Sequence, residues 1–319
     1  MMRLVKGMGV ILTIVLLFSV VALGAANWPS KPITMQVAWS AGGGSDITAR
    51  LLMPYVEEII GGSIIVVNRP GAGGEIGFTE LAKAAPDGYY FGWTNTPNSV
   101  AFPIARETNY QIEDFAPVAN VIYDPGVLVV RTDSPYQTLE DFIADARQKP
   151  NTLTVGNSGT GGDDYIAVAT LENMTGISVN QVPFEGAAPN ITAVLGGHVS
   201  AGAINASEVK PYVESGQMRV LGLMDTERCH LIPDVPTFRE LGYDVVSGSA
   251  RGFSAPAGTP REIVEKMAAA VEQAMQNPDF LKKAEEAFLL LKFMGPDEYQ
   301  AYLFEVRDTI QALYDQNPW

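Results

Sequence analysis

Three consecutive glycines, Gly42-Gly43-Gly44, separate a strand-like run, Ile33-Thr34-Met35-Gln36-Val37-Ala38, from a helical pattern that starts at Ile47 and continues through Leu51, Leu52, Val56 and Ile59. Glycine lets the backbone turn tightly and approach a ligand closely. The first turn of the following helix presents unpaired N–H groups and the positive end of its dipole. The loop Trp39-Ser40-Ala41-Gly42-Gly43-Gly44-Ser45-Asp46 therefore reads either as a plain tight connection or as a site for a carboxylate or phosphate. Neither G-x-G-x-x-G nor G-x-x-x-x-G-K-[ST] is present, so a nucleotide is not the default ligand.

The same rhythm continues. Ile64-Ile65-Val66-Val67-Asn68 reads as a strand ending at Arg69-Pro70-Gly71-Ala72-Gly73-Gly74, and helical spacing resumes through Ile76 and Leu81 up to Pro86-Asp87-Gly88. Tyr89-Tyr90-Phe91-Gly92-Trp93-Thr94 is the next strand, and Asn95-Thr96-Pro97-Asn98-Ser99 a polar turn at its end. A β-α-β-α-β succession implies an open α/β sheet with ligands at the carboxyl ends of its strands. Residues 118–121 and 127–130 read as two further strands. Leu153-Thr154-Val155-Gly156 then opens into Asn157-Ser158-Gly159-Thr160-Gly161-Gly162-Asp163-Asp164, which repeats the strand–glycine–helix device in what reads as a second domain. Residues 179–184 and 198–204 are strands reaching Glu185-Gly186-Ala187 and Asn205 respectively, and 260–313 is mostly helical. No Pro/Ser-rich linker occurs, so two extended crossings are expected, near 124–131 and 247–253. The expected division is 27–126 with 251–319 as one discontinuous domain, and 127–250 as the other.

The first 26 residues read as a secretory signal, with Arg3 and Lys6, then an apolar core, then Gly24-Ala25-Ala26 for cleavage; the alternative is a retained membrane anchor, for which the apolar core is short. The remaining length suits two domains. A formal charge of −15 argues against nucleic acid and anionic lipid as partners. The single cysteine, Cys229, excludes an internal disulfide, and an exported chain with so little cysteine points to a bacterial exterior or periplasm. With two histidines, His198 and His230, no nucleophile–base pair is evident, and no metal-ligand spacing occurs. No cofactor is expected. Asp46, Asp163 and Asp164 read as helix-start carboxylates, or as contacts to an amine, a hydroxyl or a cation in the cleft. Arg251, in a glycine-flanked extended stretch, reads as a surface ion pair or as a bidentate carboxylate clamp. Trp39, Trp93 and Phe184 read as packing support.

Taken in order, Trp28-Pro29-Ser30-Lys31-Pro32-Ile33, Asn68-Arg69-Pro70-Gly71-Ala72-Gly73-Gly74, Ala84-Ala85-Pro86-Asp87-Gly88-Tyr89, Pro233-Asp234-Val235-Pro236-Thr237 and Ala255-Pro256-Ala257-Gly258-Thr259-Pro260 make the chain resemble the periplasmic solute receptors of tripartite tricarboxylate transporters, the Bug family. The resemblance runs over residues 28–313. It implies a two-domain α/β periplasmic-binding-protein fold of the Venus flytrap kind, with the ligand in the interdomain cleft. It implies capture of a small organic carboxylate by domain closure, no enzymatic activity, and delivery to a permease with a large and a small membrane subunit. A monomer is expected. By motif position, the ligand-binding residues are Ser40, Ala41, Gly42, Gly43, Gly44, Ser45 and Asp46 of the first loop, with Asn95 and Thr96. From the second domain come Ser158, Gly159, Thr160, Gly161 and Asp164, then Phe184, Gly186 and Ala187, then Asn205, with Arg251 at the return. The first loop lacks the family's prolines, and Tyr165 stands where one subgroup has histidine. Arg251 resembles the subgroup associated with tricarboxylates, which favours a di- or tricarboxylate. A sensor for a signalling partner and an exported hydrolase are the competing readings.

Overall fold

The computed structural model describes residues 28–184, 186–316 and 318. The signal expected at 1–26 lies outside them, as does Glu185. The first part of the chain runs β1 (Ile33–Val37), α1 (Gly44–Ile60), β2 (Ile64–Asn68), α2 (Glu75–Lys83), β3 (Tyr90–Trp93), α3 (Asn98–Ala105) and β4 (Phe115–Arg131). It continues through α4 (Leu139–Gln148), β5 (Thr154–Asn157), α5 (Asp163–Thr175), β6 (Asn180–Pro183), α6 (Ala187–Leu195), β7 (Ala201–Asn205), α7 (Ala206–Glu214) and β8 (Met218–Met224). The chain closes with β9 (Gly248–Pro256), α8 (Arg261–Ala274), α9 (Pro278–Glu286), β10 (Leu291–Met294) and α10 (Pro296–Gln316).

The strands join in the order β2-β1-β3-β9-β4-β7-β5-β6, with β8 and β10 also paired to β4. Two parallel sets, β2-β1-β3 and β7-β5-β6, thus flank an antiparallel centre. The two runs at 118–121 and 127–130 are one 17-residue strand, because Asp124-Pro125-Gly126 stays extended between them. Up to Pro125 this strand pairs with β9, and from Gly126 it pairs with β7 and β8. Pro125, with no N–H to give, falls where the strand changes partners. The Gly126 N–H donates to Ser247 O at 2.9 Å, which ties the outgoing crossing to the returning one.

Side-chain alternation along β4 builds two cores at once. Leu128 and Val130 pack with Phe142, Ile143 and Leu171 on one face, while Val127 and Val129 pack with Ile191, Val194 and Val209 on the other. Helices also cover both faces of the β2-β1-β3 half: Met35, Leu52, Phe253 and Val271 share one cluster, and Phe78, Phe102, Tyr299 and Leu303 another. The helical reading of 260–313 misses β10. Leu289-Leu290-Leu291 has a helix-compatible composition, but Leu291 pairs with Ile122, and Lys292 O accepts Asn120 Nδ2–H at 2.8 Å.

Candidate ligand-binding site

All six parallel strands point their carboxyl ends at one cavity of about 650 Å³. After β1 come Trp39 and the glycine loop; after β2, Ala72 and Gly73; after β3, Asn95. The other half supplies Ser158 after β5, Phe184 and Gly186 after β6, and Asn205 after β7. Such a crevice is where doubly wound sheets bind ligands. Five helices of eight residues or more, α1, α3, α5, α6 and α7, begin at this cavity, so their N-terminal dipoles converge on it.

In the first loop, Asp46 folds back and accepts hydrogen bonds from the Gly42 N–H at 2.8 Å, Arg50 Nε at 3.0 Å and Asn68 Nδ2 at 3.0 Å. Burial raises its carboxyl pKa, but these partners, Arg50 foremost, outweigh burial and hold it below the usual range. Ser45 Oγ accepts Asn95 Nδ2–H at 2.7 Å, which links the ends of β1 and β3. Gly44 has no room for a side chain: a Cβ there would lie 2.7 Å from Arg251 Nη1. The guanidinium is thus stacked directly on the N-terminus of α1.

In the second loop, Asp164 Oδ2 accepts the Ser158 N–H at 3.2 Å and the Ser158 hydroxyl at 2.6 Å. Among the described residues no cation meets it, and burial together with the charge of Asp163 pushes it well above the ordinary carboxylate value. Asp163 accepts Asn205 Nδ2–H at 2.8 Å, and burial raises it too. Arg251, itself buried, has Nη2 at 3.5 Å from Asp124 and 3.8 Å from Glu208. Asp124 is fully buried and bonded to the Ser207 amide and hydroxyl, yet burial still raises it against the pull of Arg251. Glu208 is pushed up to about 7 by burial, with Arg251 lowering it and Asp124 and Asp163 raising it further. Arg106 also borders the cavity, paired to Glu75 at 2.7 Å and lying over the Phe102 ring.

The cavity wall includes Gly43, Gly44, Ser45, Asn95, Ser158, Gly159, Thr160, Phe184, Gly186, Ala187, Asn205 and Arg251. Seven residues expected there lie elsewhere. Ser40, Ala41 and Gly42 form the exposed outer turn of the first loop. Asp46 and Asp164 turn away from the cavity to brace their own loops. Gly161 is a buried turn residue behind the second loop, at φ 80°. Thr96 is consumed by β9: its N–H donates to Ala250 O at 3.0 Å and its Oγ1 accepts the Ala250 N–H at 3.3 Å. Asp163, not Asp164, faces the cavity, because it opens helix α5. Glu208 is the acid that sequence reasoning passed over; the spacing Asn205-x-x-Glu208 at a strand end was its one signal. Trp39 and Phe184 border the cavity, whereas Trp93 is wholly in the core. Cys229 and His230 line a separate surface recess, and burial raises the thiol, which disfavours a thiolate nucleophile. Among the described residues no cluster of His, Cys, Asp and Glu could hold a metal, and no helix is long and apolar enough to cross a membrane.

Residues 48–301 match the family described as "Tripartite tricarboxylate transporter family receptor". Protein BugT of Bordetella pertussis is 31% identical over 270 residues, 83% of this chain and 82% of that protein. A TctC solute-binding protein from Polaromonas, solved without ligand, superposes with a TM-score of 0.80 at 32% identity, covering 91% of this chain and all of the other. An R. palustris protein solved with adipate superposes with a TM-score of 0.80 at 28% identity, covering 91% of this chain and 98% of the other. The fold is thus that of the two-domain periplasmic binding proteins.

Proposed function

The chain belongs to the tripartite tricarboxylate transporter receptor family, whose members are periplasmic solute-binding receptors, and from that premise we propose that it captures a di- or tricarboxylate between its two domains. One observation carries the reading: a buried arginine, Arg251, lies against the glycine N-terminus of α1 on the wall of a cleft ringed by helix starts. A guanidinium beside convergent amides is a carboxylate site, in which charge-assisted hydrogen bonds are strong. Adipate in the R. palustris relative supports the ligand class. The domains divide at 126 and 251, where β4 exchanges partners and β9 returns, and these two crossings serve as the hinge. Closure follows because the ligand touches both lobes only when they meet, and so binds the closed state better. The closed form is delivered to the large and small membrane subunits of the permease. The chain is exported by its N-terminal signal, acts as a monomer and catalyses no reaction.

A thermal-shift panel of mono-, di- and tricarboxylates tests this reading on the wild type and on Arg251→Ala. A di- or tricarboxylate at about 100 times its Kd raises the wild-type Tm by a few degrees. Arg251→Ala reduces that affinity by roughly 10- to 100-fold, the worth of a charged hydrogen bond. Equal shifts for both proteins would remove Arg251 from the site, and no shift with any acid would remove the receptor reading.

A further inference from the structure

The walls of the cleft differ in hydrogen-bonding character. On the α1 and α6 side they offer donors: the first-turn amides of both helices and the Arg251 guanidinium on Gly44. The first turn of α6 carries no acid to compete for its amides. On the α5 and α7 side they offer acceptors. Asp163 is only 7% exposed, and it still reaches the cavity. Glu208 keeps 33% of its side chain open to the cleft, with Arg251 as its cation at 3.8 Å. That cation is shared with Asp124 at 3.5 Å. Around Glu208 stand Asp124 on β4, Asp163 and Asp164 on α5, and Arg251 on β9: three carboxyls and one cation.

We propose that Glu208, with Asp163, selects the group the ligand presents at this end of the cleft, and that this group is a hydrogen-bond donor carried beside a carboxylate, not a second bare carboxylate. The inference rests on the receptor reading above and narrows its substrate class. Two carboxylates brought face to face in a screened site cannot both stay ionised. Either the ligand supplies a donor, as an ammonium or a hydroxyl, or a proton enters from solvent along with a plain diacid. Burial and the neighbouring acids lift Glu208 to about 7, so the proton route opens as pH falls below neutrality.

Isothermal titration of the purified protein with two length-matched sets tests this: succinate, malate and aspartate, then glutarate, 2-hydroxyglutarate and glutamate. Each is titrated at pH 6 and pH 8, in buffers of different ionisation heat. At pH 8 a substituted member binds about 10-fold or more tighter than its plain partner, the range for one charged hydrogen bond. At pH 6 the gap narrows, because Glu208 is already largely protonated there; the plain diacid takes up about one proton on binding at pH 8 and much less at pH 6, as a carboxyl pair sharing one proton requires. Preference for ammonium over hydroxyl, or the reverse, identifies the donor. Glu208→Gln places an amide donor at the wall, so it raises the affinity for the plain diacid at pH 8 and abolishes the pH dependence. A gain in affinity cannot come from misfolding. The proposal is overturned if plain diacids match their substituted partners at both pH values without proton uptake, or if Glu208→Gln leaves the selectivity unchanged. In either case the receptor reading stands. If no acid binds at all, the receptor reading falls, and this inference falls with it.

Discussion

In the loop before α1, Asp46 turns back onto Gly42; in the loop before α5, Asp164 turns back onto Ser158. Both sit in a Gly-Gly-x-Asp sequence, Gly43-Gly44-Ser45-Asp46 and Gly161-Gly162-Asp163-Asp164, and both brace a glycine turn at the end of a parallel strand. Their electrostatics are opposite. Asp46 has Arg50 one helical turn on and Asn68 from β2, and is held ionised. Asp164 has two Ser158 donors, no cation among the described residues and Asp163 as a neighbour, and is driven towards its protonated form. Hydrogen-bond geometry alone therefore does not fix the charge of a loop; the next element supplies or withholds the cation. The first loop leaves the dipole of α1 available to an anion, while the second meets the cleft with an acid, Asp163.

The glycines separate the two loops most sharply. Gly44→Ala drives a methyl into Arg251, whereas Gly162→Ala meets Gly159 O at 3.2 Å and Ser158 Oγ at 3.5 Å within its own loop. Neither glycine has a positive φ, so neither exchange strains the backbone. Gly44→Ala is expected to weaken carboxylate binding by about 10-fold, as a displaced charged hydrogen bond would. Its stability falls modestly, since the buried Arg251 guanidinium must shift to admit the methyl. Gly162→Ala is expected to keep binding within about twofold, because additional methyl contacts of this size perturb weakly. Titration calorimetry beside urea melts checks both, and equal binding losses would break the contrast.

Substituting the two aspartates gives opposite signs. Asp46→Asn removes an ionised acceptor from three donors and is expected to lower stability by about 1 kcal/mol at pH 7.5. Asp164→Asn keeps an acceptor for Ser158 and removes the buried charge. The folded-state value of Asp164 is raised, so the wild type loses stability as pH rises through it. Asp164→Asn should therefore gain on the wild type as pH rises above the ordinary carboxylate range, while Asp46→Asn stays behind it throughout. Urea midpoints across that rise test the difference; parallel curves would mean that the loops share one charge state.

The glycine loops were legible because their chemistry is local: strand, glycine and helix start lie within eight residues. The two-domain α/β fold followed from repetition of that unit. What sequence could not show depends on partners distant in the chain. Thr96 stands at a strand end just as Asn95 does, yet β9, 154 residues on, takes both its N–H and its hydroxyl. Asp163 and Asp164 are adjacent and alike in composition, and only the start of α5 decides which one faces the cavity. The single strand β4 looked like two because a proline and a glycine mark its middle, where its partners change.

Glu208 is the clearest such case, and it carries the smallest predicted effect. Asn205-Ala206-Ser207-Glu208 reads as a capping sequence. Asn205 instead gives its amide group to Asp124 O and Asp163, so the helix start is drawn into the acid cluster. With Glu208 raised to about 7 in the folded protein, its stabilising contribution is complete below about pH 4.5 and is lost as pH rises through 7. The ligand-free protein should melt about 2 °C lower at pH 8 than at pH 6 from this group, a small shift because the side chain is one-third exposed and screened. Glu208→Gln should flatten that part of the profile, and carboxylate ligand should restore the wild type most at pH 6. A Glu208→Gln profile parallel to wild type would place the proton elsewhere in the cluster, on Asp163 or Asp164, and shift the acid character of the cleft wholly onto the second glycine loop.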